Sequence, residues 1–239
     1  MSRAARWTVL LSSVGGFVDA VGFLSLFELF TAHMSGNSVW LGASFGRGEW
    51  RLGLHHLFPI PLFVLGVALG TVAVELAQQR QARAPFVPAL LLEAALLTAF
   101  MLFGSACLVD GSLRPAAVWA FYLLAALPAL AMGLQNATLR RVAGQSVHTT
   151  YVTGVLQTLA EEVVRYVFNR RGPDPAAAAE RRAPLRAAGL SALIWLAYIT
   201  GAIGGGFTTQ YWQLYALALP LAVLALIVAV DVTRPGSAE

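Results

Sequence analysis

The sequence predicts an all-α fold: a polytopic membrane helix bundle of about six spans plus two short half-helices, laid out as two inverted repeats. Three observations predict it. The first is composition. Of 239 residues, 58 % are hydrophobic and only 12 % are charged, where a soluble domain carries about 25 % charged residues. Mean hydropathy is +0.69, and several apolar runs reach the ~20 residues that a helix needs to cross a bilayer.

The second observation is an internal echo. Phe30-Thr31-Ala32-His33-Met34-Ser35-Gly36-Asn37 interrupts the apolar pattern, and His148-Thr149-Thr150-Tyr151-Val152-Thr153-Gly154 repeats it in the second half. Aligned on Gly36 and Gly154, both copies read Thr, a small residue, His or Tyr, Met or Val, a hydroxyl residue, Gly. Upstream, Gly16-Phe17-Val18-Asp19-Ala20 matches Gly133-Leu134-Gln135-Asn136-Ala137 after a one-residue shift in spacing. A two-fold repeat with a polar break at the same point in each half is a pattern of transporter-like membrane folds. The expected units are residues 1–114 and 115–239, two membrane repeats of one integral domain.

The third is arginine placement. The formal charge is +4, and all sixteen basic residues are arginine. They sit in short loops between apolar runs, which is the pattern of cytoplasmic loops and not of nucleic-acid binding. With the heavy Ala and Leu usage, the absence of lysine points to a GC-rich bacterial genome. Cys107 is the one cysteine, so no internal disulfide is expected. Arg3 and Arg6 resemble the start of a signal peptide, but Asp19 and Glu28 follow and no A-x-A site is evident.

In chain order, the expected spans run from about Trp7 to Phe30, His56 to Ala77, Phe86 to Leu108, Ala116 to Leu139, Ala187 to Phe207 and Tyr211 to Val230. Residues 38–46 and 155–160 are too short to cross, because ~11 residues of helix rise only ~16 Å. Gly66, Gly70, Gly201, Gly204, Gly205 and Gly206 mark close helix contacts. With the short pieces not crossing, Arg3, Arg6, Arg80, Arg83, Arg140, Arg141, the Arg165–Arg186 cluster and Arg234 fall on one side. Only Arg47, Arg51 and Arg114 fall on the other. The first group is therefore cytoplasmic, as are both termini, in a bacterial inner membrane. The repeats are then inverted, and the two breaks enter from opposite faces towards a shared centre.

Asp19 lies within the first span, where a carboxylate costs about 2.5–3.5 kcal/mol on insertion scales and must face a partner or a cavity. Two readings stand: contact with an ion, proton or solute, or a structural hydrogen bond to Asn136 or a threonine. His33, in the break, can relay protons or sit at the outer mouth. Thr31, Ser35, Gly36 and Asn37 would cap the short helix, Ser35 as N-cap. A half-helix N-terminus presents free N–H groups, which favour an anionic or polar solute. Gln135, Asn136, Thr149, Thr150, Tyr151, Thr153 and Gly154 are the second-half counterparts. Glu28, Glu75 and Glu93 lie towards span ends and are expected to snorkel to water. Glu161, Glu162 and Arg165 read as a solvated helix face. His55-His56 is a poor metal pair, since neighbours on a helix point about 100° apart and no carboxylate or cysteine cluster accompanies them.

The two motif pairs resemble the YoaK-like family of bacterial membrane proteins, over nearly the whole chain. The resemblance implies a multi-span inner-membrane protein and supplies no substrate. The second-half counterpart of Asn37 is Val155, so a symmetric site would use the asparagine in one half only.

No G-x-S-x-G, P-loop lysine, H-E-x-x-H or C-x-x-C is present. The expectation is a transporter or channel for a small polar or anionic solute, with its site between the two breaks. It is not an enzyme, and it takes no cofactor or metal. Its partners are the lipid bilayer and a small-molecule or ion solute, with no nucleic acid; a homo-oligomer stays open. The alternatives are a non-transporting scaffold packed through its glycine faces and an intramembrane enzyme using Asp19, Glu28 and His33.

Overall fold

The computed structural model describes residues 1–109, 112–113, 118–142, 152–169 and 182–233. These form α1 (Arg3–Ser25), α2 (Met34–Gly46), α3 (Trp50–Leu57), α4 (Pro59–Gln79), α5 (Val87–Cys107), the two-residue strands β1 (Leu108–Val109) and β2 (Ser112–Leu113), and α6 (Val118–Val142). They continue with α7 (Val152–Asn169), α8 (Ala183–Trp212), a 3-10 turn at Gln213–Leu217 and α9 (Ala218–Thr233). The strands form a single antiparallel ladder with Leu108 opposite Leu113.

Among the described residues, five helical segments are long and apolar enough to cross a membrane: Arg3–Ser25, Trp50–Gln79, Val87–Cys107, Val118–Leu139 and Ala183–Thr233. The second joins α3 to α4. The last has 51 residues and contains the 3-10 turn between α8 and α9. At 1.5 Å per residue, α8 alone is ~45 Å long, so it exceeds a ~30 Å hydrocarbon layer without α9.

Several boundaries differ from the sequence expectation. The first helix ends at Ser25 and not at Phe30. Phe27 and Glu28 take positive φ values of 53° and 61°, a left-handed turn that a helix cannot continue through. The next helix begins at Met34, inside the motif, and its N-cap is His33 without a side-chain cap bond. Ser35 is therefore not the cap; it lies exposed on the first turn of α2. In the second half, α7 starts at Val152 and runs 18 residues through Glu161, Glu162 and Arg165. It is thus longer than the six-residue piece expected, though its charges keep it out of the membrane-crossing set.

Two glycine-lined seams hold the bundle. A Cβ on Gly16 would collide with the Tyr198 carbonyl, and one on Gly201 with the Ser13 carbonyl. A Cβ on Gly205 would stand 2.6 Å from the Phe17 carbonyl. From Ser13–Gly201 to Phe17–Gly205 both helices advance by one turn in the same sense, so they run parallel with backbones in close approach. The second seam repeats the design: Gly66 faces the Leu130 carbonyl, Gly133 faces the Phe63 carbonyl, and Gly70 lies against Leu134 and Ala137. Hence α4 and α6 are parallel too.

Other contacts set the remaining directions. Gly104, near the end of α5, meets Leu124 at the start of α6 and Leu214 just past α8. Arg3 at the start of α1 bonds Asp231 at the end of α9, Nη2 to Oδ1, at 2.9 Å. Helices α1, α5 and α8 therefore point one way, and α4, α6 and α9 the other. The shared core includes Leu11, Val18, Leu97, Phe100, Leu124, Met132, Leu214 and Leu224, all fully buried.

The seams generate a test. In Gly201→Ala the added methyl meets backbone, which cannot swing aside, so overpacking should cost about 1–3 kcal/mol. Gly206 has nothing within 4 Å of its Cβ position, and Gly206→Ala should be neutral or stabilising by up to ~1 kcal/mol. Thermal unfolding of both purified variants checks the contrast; equal melting temperatures would mean the α1–α8 seam is looser than described.

Candidate functional site

The polar cluster grows from a single buried carboxylate. Asp19 lies nearly three-quarters of the way along α1, and the chain past Ser25 folds back against it. Oδ1 of Asp19 accepts bonds from the Thr31 N–H at 2.7 Å, the Thr31 hydroxyl at 3.0 Å and the Ala32 N–H at 2.9 Å. Oδ2 lies 2.6 Å from Nδ1 of His33 and accepts the Tyr198 hydroxyl at 3.0 Å. That hydroxyl is also 3.2 Å from His33 Nδ1. Carboxylate, imidazole and phenol thus share one set of contacts among α1, the break and α8. Asp19 and Thr31 are buried, while the His33 side chain keeps 29 % of its surface exposed.

Local sequence explains the fold-back. One turn beyond Asp19, a Cβ on Gly22 would strike the Thr31 methyl, so glycine there lets the break lie on α1. A Cβ on Gly36 would stand 2.8 Å from the Phe30 ring; this glycine makes room for Phe30, which in turn packs on Phe23 with ring centroids 4.9 Å apart. Asn37, fully buried, closes the loop. Its Oδ1 accepts the Phe30 N–H at 3.0 Å and its Nδ2 donates to the Phe30 carbonyl at 2.8 Å. The amide side chain stands in for the backbone partner that Phe30 lost when the helix ended.

Asp19, Thr31 and His33 therefore come together as the sequence suggested, and the structural partner offered for Asp19 is Thr31, not Asn136. Asn136 turns onto its own helix, donating to the Met132 carbonyl at 3.0 Å. Gln135 goes elsewhere, bonding Glu93 Oε1 at 3.0 Å. Thr149, Thr150 and Tyr151 lie outside the described residues. Thr153 and Gly154 sit on the first turn of α7, which packs against α8, whereas α2 packs against α3 and α4.

Two residues were not singled out. Tyr198 sits in an apolar run with no local motif, and only the α1–α8 register brings it to Asp19. Glu93 was expected to snorkel; it is fully buried, because α5 turns that face onto α6 and not towards an end. Glu28 and Glu75 are exposed as expected. The histidine pair is used by aromatic packing: His55 lies on Phe121 and Tyr122, and His56 stacks on Trp40 at 5.3 Å. Among the described residues no group of three His, Cys, Asp or Glu could hold a metal.

The cluster predicts the consequence of Asp19→Asn. One oxygen becomes an NH2 group facing donors, so at least one charge-assisted bond is lost, about 1.5–3 kcal/mol. Amide hydrogen exchange at Thr31 and Ala32 should accelerate, while exchange within α8 changes little. Unchanged exchange at those two amides would show that the carboxylate does not hold the break.

Comparison with known proteins agrees on family and is silent on reaction. The family model described as a protein of unknown function, DUF1275, matches residues 7–230. The chain is similar to the UPF0700 transmembrane protein YoaK of Bacillus subtilis (strain 168), with 31 % identity over 206 residues, covering 85 % of this chain and 84 % of the relative. No solved structure matches. With most of the chain matched on both counts, this protein belongs to the DUF1275 family of membrane proteins, the family of YoaK.

Proposed function

We propose that this protein is an inner-membrane transporter or channel for a small polar solute, built from two inverted three-span repeats with both termini cytoplasmic. The observation that carries the reading is the Asp19–His33–Tyr198 cluster. It places a carboxylate, an imidazole and a phenol inside a membrane-crossing bundle, at a point where the chain breaks its helix to reach them. Intramembrane ionisable groups at a broken helix are the usual marks of a solute or ion pathway.

The repeat reading is supported by the seams. One constant offset maps Ser13, Gly16 and Phe17 onto Leu130, Gly133 and Leu134. Another maps Phe63, Gly66 and Gly70 onto Tyr198, Gly201 and Gly205. The α1–α8 seam thereby has the α6–α4 seam as its mate. Taken pair by pair, α1 runs opposite to α6, α4 opposite to α8, and α5 opposite to α9. Counting α8 and α9 separately then gives six crossings, with Arg3, Arg80, Arg83 and Arg186 on one face and Arg47 and Arg51 on the other.

The first break does not suit a free anion, since the Thr31 and Ala32 N–H groups already bond Asp19 and those of Met34, Gly36 and Asn37 already bond backbone carbonyls. A polar solute offering hydrogen-bond donors and acceptors to His33 fits better. The scaffold reading draws on the same fact: Asp19 is satisfied within the chain, as a structural staple would be. An acid/base enzyme would use the 2.6 Å Asp19–His33 contact for proton transfer, and it would need a substrate group within reach of His33, whose polar partners among the described residues are Asp19 and Tyr198.

Two measurements test the proposal. In a Cys107→Ser background, Gly48→Cys should label from outside intact cells and Gln81→Cys only after permeabilisation; the reverse pattern sinks the orientation. Protein in liposomes should take up at least one of a panel of amino acids, polyols and small metabolites, and Tyr198→Phe should slow that uptake about tenfold, one bond's worth. Liposomes impermeable to every solute with and without a proton gradient would favour the scaffold.

A further inference from the structure

Glu93 lies outside the cluster described above. It is the seventh residue of α5, ~9 Å along that helix, and no part of it is exposed. Its Oε1 accepts the Gln135 side-chain amide of α6 at 3.0 Å. Its Oε2, equally buried, has no hydrogen-bond partner. The carbonyl oxygen of Gln135 points the other way, to α1: a Cβ on Gly15 would stand only 3.0 Å from it. Glycine at position 15 is what leaves room for the amide. Glu93, Gln135 and Gly15 therefore form a built junction of three helices with one oxygen left over.

We propose that Glu93 is an exchangeable-proton site, and that its proton is the coupling ion of transport. The step is simple: a proton from solvent adds to Oε2 and later leaves it, with no other bond made or broken. An ionised Glu93 would hold its charge in a dry interior with a single neutral donor, the arrangement that burial penalises most. Among the described residues no cation stands beside it. Among the helices packed on α5, Asp231 of α9 bonds Arg3, and Glu75 of α4 is exposed. On α1, Asp19 is bonded to the break. The side chains of Arg140 and Arg141 lie outside the described residues. A metal ion is the wrong ligand for this site. Hard cations take about six oxygens, and the junction offers a carboxyl group and an amide. A proton needs one lone pair, which Oε2 supplies.

The coupling role rests on the transport reading; the proton site does not. Infrared spectroscopy of the purified protein in lipid nanodiscs tests the site directly. Wild type should show the carbonyl stretch of a protonated carboxyl group. That band should shift on transfer to D2O without unfolding, and vanish reversibly at alkaline pH. Glu93→Gln should lose the whole band, while Glu75→Gln should keep it. Gln135→Leu should move its frequency by removing the hydrogen bond, and Glu93→Asp should do the same, which covers the case in which Glu93→Gln fails to fold. A band missing from wild type, kept in Glu93→Gln, or unchanged in D2O overturns the proposal. So does its displacement by sodium chloride at constant pH, which would make the ligand a metal cation. Liposomes that take up nothing, with the band present, overturn the transport reading alone.

Discussion

The bond set of Asp19 is the contact on which the passage from α1 into α2 depends. A helix that stops inside a membrane leaves carbonyl and N–H groups that lipid cannot satisfy, at several kcal/mol each. Here the carboxylate takes the Thr31 and Ala32 N–H groups, and Asn37 takes both backbone groups of Phe30. Two side chains thus repay most of what the break costs. The charge on Asp19 is in turn offset by donors from three directions, including Tyr198 of α8. Removing any one donor leaves a buried acceptor short, so the break, the first helix and α8 are energetically one unit.

That unit can exist only because α1 and α8 approach so closely. The Tyr198 backbone lies against Gly16, about one turn below Asp19, and from there the phenol reaches the carboxylate. A larger residue at Gly16 would push α8 away and withdraw the hydroxyl. Glycines at the seam are therefore tied to the chemistry of the cluster as well as to packing. In lipid, where apolar burial between helices gains little, such backbone approach is the main source of helix association.

The sequence was legible wherever a rule has local scope. Apolar runs marked the helical segments long enough to cross, the first motif marked the break after α1, and Gly66, Gly70, Gly201 and Gly205 lie in the seams, whereas Gly206 does not. The cost of a carboxylate in a span predicted that Asp19 would have a partner, and an unspecified threonine was among those offered. What failed was non-local or sub-turn in scale. Tyr198 is 179 residues from Asp19, and nothing near it in sequence signals a polar role. The placement of Glu93 turned on rotation about the α5 axis, which an evenly apolar helix does not encode. The N-cap was misassigned because Ser35 is a good capping residue in isolation, whereas the cap geometry was decided by Asp19 from another helix.

If the two halves are inverted repeats, they share a scaffold and divide the chemistry. The seam positions correspond, yet the polar groups do not: Asp19 has Asn136 as its mate, Tyr198 has Phe63, and Asn37 has Val155. The phenol hydroxyl is present in the half whose carboxylate needs a donor. It is absent in the half whose amide is satisfied by its own helix at Met132. Loss of the carboxylate and loss of the hydroxyl go together, as one interaction kept or discarded whole. The second half keeps a buried carboxyl all the same, supplied by α5 across the repeat boundary through Gln135. A fully bonded carboxyl in one half thus contrasts with a sparsely bonded one in the other. On the transport reading proposed above, that asymmetry would let the two centres distinguish a proton from a polar solute, which two identical centres could not.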